Sequence, residues 1–177
     1  MSTDIKDVLY SVINGMGRER IRMDVAADIR TSELRCKDIL AKCVSSVSQE
    51  MDDTTIVRLC EALLHFMLTA SLLPSERKVT VHGVDLDIVI PSVRVLNKSP
   101  DKSLIIQMIR NDLTRKLSQT KSVQPNNENI WLISAKQLKT DHRNYHLGMG
   151  DFQFPRIISD ISRFLSEKQD RGLKLLH

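Results

Sequence analysis

Apolar residues recur at helical spacing through the first part of the chain and change to strand-like alternation from Glu76. Ile5, Val8, Leu9, Val12 and Ile13 lie on one face of a helix over Asp4 to Met16, and Asn14-Gly15 with Gly17 supply its exit. A second helical pattern opens near Glu19 with Ile21, Val25 and Ile29. It continues through Leu34, Ile39, Leu40, Cys43, Val44 and Val47. Thr31-Ser32 can divide it, because Ser32 is able to cap a new helix. Asp52 or Asp53 then caps a helix that runs through an apolar stretch until Pro74 stops it.

From Glu76 the period becomes two. Val79 and Val81 alternate with Thr80 and His82, Gly83 makes a turn, and Leu86, Ile88 and Ile90 alternate with Asp85, Asp87 and Val89. Pro91 ends the ladder or marks a bulge. Lys98 to Lys102 reads as a turn, and Leu104-Ile105-Ile106 as a strand apolar on both faces, hence central and covered by helices. A helix through Leu113 and Leu117, a polar gap, the strand Ile130 to Ile133, a polar segment to Gly150 and a closing helix past Phe164 complete the order. The pattern predicts an α/β fold: a mixed central sheet of about four to five strands flanked by helices. We place an N-terminal helical extension over 1–52 and the α/β domain over 53–177.

Composition narrows this picture. A chain of 177 residues can bury one proper core, and 41% hydrophobic with 27% charged residues excludes a disordered tail. Aromatic residues make up 4%, which leaves the core to Leu, Ile, Val and Met and argues against base stacking on aromatic platforms. The net charge of +4 suits a nucleic-acid partner and is equally ordinary for a globular domain. Cys36, Cys43 and Cys60 form no Cys-x-x-Cys pair and read as small core or interface residues of a chain kept reduced. Asp4 and Asp7 interrupt any leader-like start, and the apolar run Ala62 to Leu73, with His65 inside it, is too short to cross a bilayer. A cytoplasmic protein without a membrane part is expected.

The candidate chemistry centres on Asp85 and Asp87, which share one face of an ideal strand. Alternate residues there lie about 6.6 Å apart, so the pair flanks one ion only if a side chain leans or the strand bulges. Hard oxygen ligands suit Mg²⁺ or Mn²⁺. Asp85 and Asp87 are candidate metal ligands on these grounds, against the plainer reading of a solvated hairpin face. His142, Tyr145 and His146 with Arg143 form either a phosphate-contact patch or a surface loop. Gly148-Met149-Gly150 lacks the preceding strand and following lysine of a phosphate-cradling loop, and Gly15-Met16-Gly17 follows a helix where a dinucleotide fingerprint needs a strand. Arg18, Arg20, Arg22, Arg30, Arg35 and Lys37 are interleaved with acids, as on a solvated face. Arg110, Arg115, Lys116, Lys121 and Arg143 are the candidate nucleic-acid contacts.

The stretch Val84-Asp85-Leu86-Asp87-Ile88-Val89-Ile90, followed by Gln107-Met108-Ile109 on the next strand, resembles the restriction-endonuclease-like superfamily. These are the PD-(D/E)XK nucleases, which include archaeal Holliday-junction resolvases. The resemblance covers roughly Thr54 to Phe164. It implies a metal-binding role for Asp87, the acid-x-lysine place for Gln107-Met108-Ile109, and a helper role for Glu61, which makes Glu61, Asp85, Asp87 and Gln107 the candidate metal set. Gln107 is neutral, though its carbonyl oxygen is a weak potential ligand, and Ile109 cannot orient a water as lysine does. Arg110 reaches the site only through a bulge. Asp87, Gln107 and Arg110 are thus the candidate catalytic residues.

Three functions stay open. The chain is a degenerate nuclease-fold module that binds nucleic acid or protein without cutting, a Mg²⁺- or Mn²⁺-dependent endonuclease with an atypical site, or a helical dimerisation or scaffold protein. A homodimer through Ile5, Val8, Leu9, Val12, Cys36, Cys43 and Val47 is expected from the apolar excess of the N-terminal helices.

Overall fold

A computed structural model describes the backbone of residues 3–174 and the side chains of 3–169. Four helices precede the first strand. Helix α1 (Ile5–Met16) starts where the Asp4 carboxylate accepts the Lys6 N–H at 3.0 Å. It ends at Gly17, whose φ of +97° favours a residue without a Cβ. The long second pattern does split, into α2 (Arg18–Ala27) and α3 (Thr31–Ser46). The break lies just before Thr31, whose hydroxyl donates to the Asp28 carbonyl at 2.8 Å, and Ser32 is buried inside the helix. Asp52 caps α4 (Asp53–Ala70) by accepting the Thr55 N–H at 2.8 Å.

The sheet has five strands in the order of the chain: β1 (Glu76–Val81), β2 (Val84–Ile90), β3 (Leu104–Met108), β4 (Ile130–Ile133) and β5 (Arg143–Tyr145). The β1–β2 and β2–β3 pairings are antiparallel, and β3–β4 and β4–β5 are parallel. His82 and Gly83 join β1 to β2 with φ values of 49° and 77°, the geometry that a two-residue hairpin turn of matching twist requires. Helix α5 (Val93–Lys98) follows a cis Ile90–Pro91 bond, α6 (Leu113–Lys121) connects β3 to β4, and α7 (Ile157–Lys174) closes the chain. The mixed α/β sheet flanked by helices is as the pattern predicts. Helix α5 and strand β5 are additions to it.

The main core lies between one face of the sheet and helices α1, α2, α3, α4 and α7. Leu9, Ile21, Cys36, Ile39, Leu63 and Met67 pack there with Ile88, Ile106, Trp131 and Ile161. The helices before residue 52 and the α/β part therefore share one continuous hydrophobic cluster. Ile5, Leu9, Cys36 and Cys43 are buried in it, with Val8, Val12 and Val47 packed at its border, so these seven positions are covered within the chain, whereas Met23, Leu34 and Val44 of the same helices are exposed. On the opposite face a smaller cluster joins Val81, Leu86, Val89 and Ile105 to Leu96 of α5, and a third sets Ile109, Ile130 and Leu132 against Leu113 and Leu117. Among the described residues, no helix is long and apolar enough to cross a membrane.

Strict alternation along β2 fails at one place. Val84 and Leu86 pack in the second cluster, whereas Ile88 and Ile90 pack in the main core, so the apolar side of the strand switches faces at Asp87. The opposite residue on β1 is Lys78, in left-handed conformation at φ 50°, and the hydrogen-bonded register skips this step. With the switch between them, Asp85 and Asp87 do not lie on one continuous strand face as an ideal strand would place them.

Candidate functional site

The switch at Asp87 brings four elements together. Glu61 comes from α4, Lys78 from β1, Asp87 from β2 and Lys116 from α6, while Arg110 follows the end of β3. The Lys78 Nζ lies 2.6 Å from Glu61 Oε1 and 3.1 Å from Asp87 Oδ1. The Lys116 Nζ lies 2.7 Å from Asp87 Oδ2 and 2.6 Å from the Met108 carbonyl oxygen. Arg110 Nη2 stands 3.6 Å from Glu61 Oε2. Each of the four carboxylate oxygens thus faces a cation of the chain. Both acids are 12% exposed, deep enough that an unpaired charge would be costly.

Burial by itself would raise the Asp87 pKa. The Lys116 ammonium, the Met108 N–H that donates to Oδ2 at 2.8 Å, and Lys78 outweigh it and hold the carboxyl below its ordinary value. Burial likewise works against the Lys78 charge, but the Glu61 and Asp87 carboxylates raise its pKa on balance. The ionised forms of both partners support each other.

Gln107 is placed beside Asp87 yet turned to other work. Its Oε1 accepts the Asp87 backbone N–H at 2.9 Å, and its Nε2 donates to the Asp85 carbonyl at 3.2 Å and to Thr120 Oγ1 at 2.9 Å. The side chain ties β2, β3 and α6 together at 1% exposure. Ile109 is equally buried, packed with Ile130 and Leu132 under α6. Asp85 is exposed, and its Oδ1 accepts the Thr80 hydroxyl at 2.7 Å across the hairpin.

The oxygen donors that converge here are therefore Glu61, Asp87 and the Met108 carbonyl. Mg²⁺ requires near-octahedral oxygen at about 2.0–2.1 Å, with waters completing the shell. Two lysine ammonium groups occupy the space among those oxygens, and two negative charges meet three positive ones. Among the described residues, no three His, Cys, Asp or Glu side chains stand together as ligands. The residues present do not fit a divalent ion while Lys78 and Lys116 hold these positions.

The basic candidates fall in two places. Arg110 and Lys116 belong to the carboxylate site, and Arg115 is close by, paired with Asp112 at 3.6 Å and largely exposed. Lys121 and Arg143 line a separate polar cavity of about 860 Å³ with His142, Asn144, His146 and Phe152. Arg143 is held by aromatic rings, its guanidinium carbon 4.3 Å from the Trp131 ring centre and 5.0 Å from that of Phe152. The His142–Tyr145–His146 segment contains β5, with Tyr145 and His146 buried. Tyr145 donates to Asp160 at 2.6 Å, and His146 Nδ1 accepts the Gly148 N–H at 3.0 Å.

Lys78 was invisible as a site residue because a strand lysine opposite an aspartate looks like an ordinary surface pair. The only sequence signal was its place beside Asp87 in a short hairpin. Lys116 reads from sequence as one more helical cation, and its contact with Asp87 is set by the packing of α6 on the sheet.

No protein-family model matches the chain, and no curated protein matches it in sequence. Solved structures do. The restriction endonuclease PspGI in a substrate DNA complex superposes with a TM-score of 0.59 at 11% identity, over 93% of this chain and 94% of that one. Metal-depleted Ecl18kI in complex with uncleaved DNA gives a TM-score of 0.56 at 9% identity, over 94% of this chain and 80% of that one. A second complex of metal-depleted Ecl18kI, with uncleaved, modified DNA, gives 0.56 at 7% identity over the same shares. At such identities the likeness speaks for the fold alone. With its mixed five-stranded sheet, its helices on both faces and these neighbours, the chain has a restriction-endonuclease-like fold.

Proposed function

We propose that this chain is a non-catalytic nuclease-fold module that binds DNA. The observation that carries the reading is the use of Gln107 and Ile109. All three hydrogen bonds of the Gln107 amide go to the scaffold, and Ile109 is a core residue, so neither position offers a ligand or a proton-handling group toward Asp87. An apolar side chain cannot activate a water.

Binding is supported by the charge of the same region. Counting Arg110, the cluster has one more cation than anion, and the largely exposed Arg115, paired with Asp112, lies beside it, where guanidinium groups can pair with phosphate oxygens. The structural neighbours are themselves DNA complexes. The seven apolar positions that would serve a homodimer pack inside the chain, which removes the sequence argument for a second copy as partner.

Fluorescence anisotropy with a labelled duplex in EDTA tests the binding, and incubation of the same duplex with Mg²⁺ or Mn²⁺ tests the chemistry. Binding that weakens steeply with salt, and DNA that stays intact, are expected. Metal-dependent cleavage abolished by Asp87→Ala would make the chain an endonuclease. Absence of salt-sensitive binding would remove DNA as the partner.

A further inference from the structure

We propose that Lys78 and Lys116 are the resident cations of this site, holding the places among Glu61, Asp87 and the Met108 carbonyl that a divalent ion would otherwise take. The proposal builds on the non-catalytic reading above, and concerns what keeps metal out.

The geometry distinguishes this arrangement from chance surface pairing. Each ammonium bridges two oxygens instead of meeting one: Lys78 joins Glu61 to Asp87, and Lys116 joins Asp87 to the Met108 carbonyl. Asp87 lies at the centre, with one oxygen for each lysine. Lys116 is only 17% exposed, so its charge is held among fixed partners with little water to share it. Its second bond goes to a backbone carbonyl at the end of β3, an acceptor that carries no net charge and cannot follow a departing lysine. A tethered ammonium needs no uptake from solution and has no translational freedom to lose on binding.

The lysines reach Asp87 from different elements, one on each carboxylate oxygen. Lys78 comes from the β1 edge on a left-handed residue, and Lys116 from the helix that covers β3. A divalent ion approaching Asp87 must displace at least one of them, and it then sits beside the other and near Arg110. Like charges at that separation strongly oppose binding in a half-buried site. The chain thus supplies the cation that its own carboxylates need. Replacing Lys116 by a neutral side chain of similar length should open Asp87 Oδ2 and the Met108 carbonyl as a vacant pair of oxygen ligands, with Glu61 in reach.

The test is Mn²⁺ binding to the full chain without DNA, followed by electron paramagnetic resonance of the free ion, for the original sequence, Lys116→Met, Lys78→Met and the double variant. Thermal unfolding of each checks that it is folded. We expect no stoichiometric uptake by the original chain at up to roughly 1 mM Mn²⁺, the weak end of protein sites for hard divalent cations. Lys116→Met should bind one ion at least roughly tenfold more tightly. Asp87→Asn added to Lys116→Met should abolish that binding.

Uptake by the original chain that Asp87→Asn removes would overturn the proposal. So would a folded lysine variant, single or double, that binds no better than the original. Lys78 is more than half exposed, so Lys78→Met supplies a folded variant even if Lys116→Met does not. DNA binding in EDTA is measured separately: its absence ends the functional reading and leaves this result standing, and the converse holds equally.

Discussion

The Gln107 side-chain oxygen accepts the backbone N–H of Asp87 at 2.9 Å, so the residue across the strand from the central carboxylate holds that carboxylate's own main chain. The β2–β3 ladder stops at Ile88 and Ile106, one step short of Asp87, and the glutamine oxygen supplies the partner that the Asp87 N–H would otherwise lack there.

Gln107→Ala should therefore destabilise the fold by about 3 kcal/mol, combining a broken buried hydrogen bond with an unsatisfied donor. A urea midpoint that falls with unchanged slope is the expected readout. A loss below about 1 kcal/mol would mean that water or a backbone shift replaces the glutamine.

Asp87 also sets an acid limb. Its folded-state pKa lies below the ordinary 3.8, so the stability it adds is complete above that value and is lost as pH falls through the lower folded value. Urea unfolding of the parent chain and Asp87→Asn should converge as pH drops from about 5 to 2, with the parent more stable at the upper end. Parallel curves over that range would show that the carboxylate is not held by Lys116 and Lys78.

On DNA, Arg110→Ala with Arg115→Ala should weaken duplex binding and make it less dependent on salt. For every phosphate left without its arginine, the slope of log K against log salt should shrink by about 0.9. An unchanged slope would move the interface away from the end of β3, with the cavity at Lys121 and Arg143 as the next place to substitute.

A chain that starts at Asp53 should not fold cooperatively. It would lack Leu9, Ile21, Cys36, Ile39 and Cys43, and leave the α4 side of Leu63 and Met67 without cover. Circular dichroism melting of the 53–177 fragment decides this, and a sharp transition like that of the whole chain would instead make the helices before it a separable extension.

His82→Asn should stabilise the protein by up to about 1 kcal/mol. The position has a φ of 49° ahead of Gly83, and asparagine tolerates that geometry better than histidine in such a turn. A lower melting temperature for the variant would show that the His82 ring makes an interaction worth more than the relieved backbone.

The sequence carried the fold where periodicity was strong and tertiary packing merely confirmed it. The apolar spacing of α4, the alternation from Val79 to Leu86 and the apolar run Leu104-Ile105-Ile106 of β3 were legible because burial there follows directly from local pattern. Strand β5 was hidden because it has three residues in a polar segment and reaches the sheet only by pairing with β4. Helix α5 was hidden behind Pro91, although Ser92 caps it by accepting the Val95 N–H at 3.2 Å. In the site, Asp87, Arg110 and Lys116 could be singled out by type and place in the pattern, and Glu61 and Gln107 only through the resemblance to the nuclease superfamily. Their pairing could not, because it depends on the left-handed Lys78 and on where α6 settles, and neither leaves a mark in hydrophobic pattern.

Lys78 has one more effect, and it concerns the rim of the sheet. Strand β1 is an outermost strand, and such a strand can act as a template on which foreign chains extend the sheet and aggregate. A left-handed residue in its middle breaks the run of evenly spaced donors and acceptors, and Glu76, Arg77 and Lys78 give it charge. An incoming strand would find only short stretches in register on either side. The backbone turn that delivers an ammonium group to Glu61 and Asp87 also closes this rim of the sheet to further growth.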